Sequence, residues 1–131
     1  MIERVKLTAA AKQQLITLKR KTGIEHYNTI CRHALVLSLT NPAPAPTENL
    51  QFTNGLEIDW DVFTGGYSET YLNMLILRTL NDADGFSASH VRQTLSSHLH
   101  RGLSYLASRK DTEISLISAV SLNSQTVDIQ H

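Results

Sequence analysis

All three prolines of this 131-residue chain fall at alternate positions of one run, Asn41-Pro42-Ala43-Pro44-Ala45-Pro46. Each proline lacks a backbone donor and pushes the residue before it out of the helical region, so neither a helix nor a central strand passes through residues 41–46. The run reads as an extended linker. The stretches before and after it are therefore read as separate sets of elements.

Before the linker, residues 2–7 alternate, with Arg4 and Lys6 on one side and Val5 and Leu7 on the other. A period of two predicts a short strand with a basic and an apolar face. Thr8 suits the N-cap of a helix over residues 9–22, whose Ala11, Leu15, Leu18 and Thr22 form one stripe. Lys12 and Lys19 line up beside that stripe, and Lys21 points elsewhere. Gly23 follows as a C′ residue free to take positive φ. A second helix starts near residues 25–27 and ends about residue 39; it is apolar around most of its circumference, which predicts burial in a core or a subunit interface. Strand, helix, glycine turn, helix is the order of a ribbon-helix-helix module, in which strands of two chains pair. A six-residue strand is not stable alone, so this reading demands an oligomer.

After the linker, residues 57–62 (Glu-Ile-Asp-Trp-Asp-Val) alternate acid and apolar and predict a half-buried strand with an acidic outer face. Thr64-Gly65-Gly66 turns the chain. Ser68 is expected to cap a helix over 69–80, residues 81–85 form a loop, and Ser87 or Ser89 caps a last helix to about residue 108. The stripe of that helix is Val91, Leu95, Leu99, Gly102, Leu103 and Leu106. The fold class is thus mainly α: a ribbon-helix-helix-like N-terminal half, further helices and a short β element. One domain spans residues 1–108, and residues 109–131 form a tail whose periodicity is too weak to assign.

Candidate chemistry is sparse. No glycine-rich phosphate loop occurs. Asp82-Ala83-Asp84-Gly85 has its glycine at the fourth rather than the sixth place of a calcium loop. His98 and His100 diverge by about 200° on a helix, so one subunit cannot chelate an ion with them; with Arg101 they are candidates to face an anion or a neighbouring subunit. The lone Cys31 forms no internal disulfide. Its place in the most apolar helix favours an inert packing thiol over a nucleophile. No metal and no cofactor is expected.

Charge is segregated under a net total of zero. Residues 1–37 hold seven bases (Arg4, Lys6, Lys12, Lys19, Arg20, Lys21, Arg32) against two acids, whereas residues 38–91 hold seven acids against Arg78. Screening acts within about 8–10 Å, so a polyanion meets the basic face rather than the total. With 41% hydrophobic residues, no apolar run of membrane-spanning length and no signal-like N-terminus, a soluble cytoplasmic protein is expected.

Ile2-Glu3-Arg4-Val5-Lys6-Leu7, Thr22-Gly23-Ile24, Cys31-Arg32 with Ser38-Leu39, Trp60 with Phe63-Thr64-Gly65-Gly66-Tyr67, and above all His98-Leu99-His100-Arg101-Gly102-Leu103-Ser104-Tyr105-Leu106 resemble the DndE family, the small subunit of the bacterial DNA phosphorothioation (DNA sulfur modification) system. The likeness runs in order from residue 2 to about 107. It implies a mainly helical fold, a homotetramer, a non-enzymatic role in binding double-stranded DNA, notably nicked duplex, and partnership with the other phosphorothioation subunits. Carried over residue by residue, Arg4, Lys6, Lys12, Lys19, Arg20 and Lys21 become the DNA-binding set, and Gly23 the position of close packing in the oligomer. Two other readings stay open: a sequence-specific ribbon-helix-helix transcription regulator, and an enzyme, either a sulfur relay using Cys31 or a nickase.

Overall fold

The computed structural model describes residues 1–109; the tail assigned to residues 109–131 lies, but for Arg109, outside them. The elements run β1 (Arg4–Leu7), α1 (Ala9–Thr22), α2 (Tyr27–Leu39), β2 (Leu56–Asp59), α3 (Trp60–Thr64), α4 (Ser68–Asp82) and α5 (Ala88–Ala107). The class is mainly helical with one two-stranded antiparallel sheet.

Local chemistry sets most boundaries. Thr8 accepts from the Ala11 N–H at the start of α1, and Gly23 ends it at φ 73° with its N–H on the Lys19 carbonyl. Ser87 accepts from the His90 N–H and starts α5. The helix expected to be capped by Ser68 begins at that residue, with Tyr67 in the cap position and no side-chain cap bond. The expected strand over 57–62 is shorter: β2 stops at Asp59 and the chain turns into α3. The apolar period changes there from two (Leu56, Ile58, Trp60) to three, and Trp60 stacks on Phe63 with ring centroids 5.6 Å apart.

The sheet corrects the argument for a second chain. β1 pairs with β2 of its own chain, in the register Arg4 to Asp59, Val5 to Ile58, Lys6 to Glu57 and Leu7 to Leu56. Its cross-strand partner is thus intramolecular, and an intermolecular ribbon is not needed to stabilise it. Val5 and Leu7 drop into the core while Arg4 and Lys6 stay outside.

The core gathers around α2 and α5, the most extensively paired helices. Leu7, Leu15, Leu35, Phe63, Leu75, Leu99 and Leu103 are fully buried. Each such side chain contributes roughly 1.5–3 kcal/mol of hydrophobic free energy. The helices meet backbone to backbone, since a Cβ on Gly102 would lie 1.8 Å from the Ala34 carbonyl oxygen. α2 is therefore buried within the chain along one side, at Ile30, Cys31, Ala34, Leu35 and Ser38, while Val36 stays exposed.

Candidate nucleic-acid interface

α1 carries four bases, Lys12, Lys19, Arg20 and Lys21, and no acid. Its buried residues, Ala11, Leu15, Leu18 and Thr22, fix which way the rest point. At about 100° per residue, Lys12 and Lys19 flank the buried stripe on one side, and Arg20 stands nearly opposite it, between the two flanks. Lys21 lies on the other flank. Lys19, Arg20 and Lys21 also occupy the last turn, where cations complement the helix dipole by about 0.3–1 kcal/mol each. Lys19 is held toward α2 by its ammonium 5.0 Å from the Tyr27 ring centroid. No acid among the described residues pairs with Lys12 or Arg20.

β1 behaves differently. The acidic face of β2 lies beside its basic face, and Arg4 reaches both Glu57 (3.6 Å) and Asp59 (3.7 Å). All three side chains are more than half exposed, so the contacts add little stability. They do cancel the positive charge of Arg4 locally. Lys6 sits across from Glu57 in register. Of the six expected contact residues, Lys12, Lys19, Arg20 and Lys21 are spread around the solvent-facing side of α1, and Arg4 and Lys6 lie on a ribbon whose charge is balanced.

Gly23 has open space where a Cβ would go. Within the chain its requirement is the left-handed backbone, not close packing. The close-packed glycines are Gly55, against the Leu7 carbonyl, and Gly102, which a stripe reading groups with the apolar residues of α5.

The His98–Arg101 segment turns inward rather than toward an anion or a neighbour. Arg101 donates from Nε to Ser38 Oγ (2.8 Å), and from its two terminal nitrogens to the carbonyls of Ser38 (2.9 Å) and Ala43 (2.9 Å). Arg78 donates to the carbonyls of Leu39 (3.0 Å), Asn41 (2.6 Å) and Ala43 (2.9 Å) and forms an ion pair with Asp82. α2 has no base in its own last turn, so two arginines from α4 and α5 satisfy its terminal carbonyls and tie down the proline run. Ser38 Oγ lies 2.8 Å from His98 Nδ1. Since Arg101 donates to that hydroxyl, its proton is directed at Nδ1, and His98 is a neutral Nε2–H tautomer. Burial, with the Arg78 and Arg101 cations next in importance, brings its pKa down to about 4. His100 accepts the Thr8 N–H on Nε2 (3.2 Å) and bonds the Ser96 carbonyl through Nδ1 (2.7 Å), which docks the β1–α1 corner on α5.

Cys31 is fully buried, and desolvation pushes its thiol up to about 12. A thiolate is not available there at neutral pH. Among the described residues no three His, Cys, Asp or Glu side chains cluster as metal ligands, and no helix is long and apolar enough to cross a membrane.

Three comparisons complete the picture. The family model described as DNA sulphur modification protein DndE matches residues 4–113. The crystal structure of DndE from Escherichia coli B7A, described as involved in DNA phosphorothioation modification, aligns with a TM-score of 0.65 at 21% identity, covering 83% of this chain and 100% of that one. Among curated proteins nothing matches.

Proposed function

The chain belongs to the DndE family of DNA sulphur modification proteins, and from that premise we propose that it is a non-enzymatic subunit that binds double-stranded DNA, nicked duplex above all, as a homotetramer alongside the other phosphorothioation subunits. The observation that carries this reading is the acid-free α1, whose four bases Lys12, Lys19, Arg20 and Lys21 all lie off its buried stripe. Bases arranged this way contact phosphates and carry no sequence information. Lys6 and Lys21 extend the set at its margins, and Arg4 contributes least because Glu57 and Asp59 already hold it.

Self-association is part of the proposal. The total charge of one chain is zero, and several copies pool their α1 surfaces. α4 leaves Leu77 (68% exposed) and Leu80 (58% exposed) open one helical turn apart, an apolar surface that a second copy covers. Gly23, with free space around it, leaves room for a close approach between copies. A nick lowers the cost of bending duplex, which favours nicked substrate if the copies surround it.

The buried, protonated thiol of Cys31 supports a non-enzymatic role over sulfur relay, and the intramolecular pairing of β1 argues against a ribbon reading operator bases. The test is a gel-shift titration of nicked duplex at several salt concentrations. Lys12→Ala with Lys19→Ala weakens binding equally across sequences and lowers the salt slope by about one unit per lost contact. Unchanged affinity with unchanged salt dependence overturns the proposal.

A further inference from the structure

β1 has a second edge. The Trp60 N–H donates to the Glu3 carbonyl (2.9 Å). In an antiparallel ladder this makes residues 3, 5 and 7 the ones bonded to the partner strand, and turns the N–H and C=O groups of Arg4 and Lys6 away from β2. Among the described residues nothing bonds those four groups. They face a groove of about 500 Å³ whose other walls are α5, at Arg92, Leu95 and Ser96, and the segment carrying Leu50 and Phe52. Ser96 Oγ, on the α5 wall, is buried without a hydrogen-bond partner. An open strand edge facing a helix across a cleft is the arrangement that accepts an added strand.

We infer that this groove binds an extended segment of a partner protein, antiparallel to β1, in which acidic and apolar residues alternate. The alternation follows from the pleat. Residues opposite Arg4 and Lys6 point to the same side as those bases; Glu57 and Asp59 already hold Arg4, so the cations left for a partner are Lys6 and Arg92, against the groove's acid Glu48. Residues opposite Val5 point inward, toward Leu95 and Leu50. β2, with Leu-Glu-Ile-Asp, already meets this specification on the other edge. A second copy of β1 does not, because antiparallel pairing would set Arg4 and Lys6 against their own equivalents, and like charges opposite one another are destabilising. This site uses the backbone of β1 and the α5 wall, and shares with the proposed DNA surface only the side chains at its margin, Lys6 and Arg4.

The probe is a fluorescein-labelled, end-blocked peptide Glu-Val-Asp-Val-Glu-Val, titrated onto the full chain by fluorescence anisotropy, with amide exchange read by NMR. Binding is expected to slow exchange at Arg4 and Lys6. It weakens at least about tenfold when alternate peptide amides are N-methylated, since each methyl removes a ladder bond. Arg92→Glu weakens the peptide about tenfold and leaves nicked-duplex affinity unchanged. The inference is overturned by no saturable binding, by binding indifferent to N-methylation, which means charge attraction alone, or by nicked duplex competing for the peptide and protecting the same two amides, which makes the groove a nucleic-acid surface. Failure of duplex binding with peptide binding intact leaves this inference standing and removes the DNA reading.

Discussion

Replacing Gly102 with alanine tests the central joint of the fold. A Cβ built on Gly102 lies 1.8 Å from the Ala34 carbonyl oxygen, 2.4 Å from its carbonyl carbon and 2.9 Å from its Cα. An ordinary carbon–oxygen contact is about 3.3 Å, so α2 and α5 must move apart by roughly 1.5 Å. No rotamer change relieves this, because the obstacle is backbone. Overpacking in a dense core costs about 1–3 kcal/mol and occasionally more; a clash of two helix backbones belongs near the top, at about 3–4 kcal/mol. Alanine regains about 1 kcal/mol over glycine in a helix interior. The net loss is about 2–3 kcal/mol, a Tm lower by about 8–12 °C for a chain of this size. Gly23→Ala is the contrast. It meets nothing within 4 Å but must hold φ 73°, at a cost of about 1–2 kcal/mol. Thermal unfolding followed by circular dichroism, with protein concentration fixed because an oligomer makes Tm depend on it, ranks wild type above Gly23→Ala above Gly102→Ala. A Gly102→Ala protein melting within about 2 °C of wild type refutes the close contact.

Two further outcomes follow from buried groups. His98 has its pKa lowered from 6.5 to about 4, and burial also lowers those of His33 and His100; the folded state therefore binds fewer protons than the unfolded chain, and stability is full above about pH 6.5 and falls as pH drops toward 4. For His98 the upper bound is about 3 kcal/mol; urea unfolding of wild type declines more steeply between about pH 6.5 and 5 than that of His98→Gln, and parallel curves refute the assignment. Cys31 reacts with Ellman's reagent only as the chain unfolds, in step with loss of helix across a urea series, and fast labelling of the native protein at mildly alkaline pH contradicts its burial.

Periodicity and capping chemistry made α1, α4 and α5 legible in advance, because these are short-range effects. Thr8, Gly23 and Ser87 act within one turn of where they stand, and the proline run stops α2 by its own geometry. The bases of α1 were equally plain, since an acid-free helix with a marked buried stripe shows its charged sector directly.

What neighbours a residue meets is decided by topology, and there the sequence reading stopped short. The pairing of β1 with β2 joins a basic strand to an acidic one across the linker, so Arg4 spends its charge on Glu57 and Asp59. Arg101 reaches Ser38 from 63 positions away and caps a helix with no base in its own last turn. His98 becomes a neutral buried anchor, the half-buried His100 docks the β1–α1 corner, and Gly102 becomes the contact that sets the distance between α2 and α5. Local free energy selects the elements, and long-range burial selects which of their faces remain for a partner.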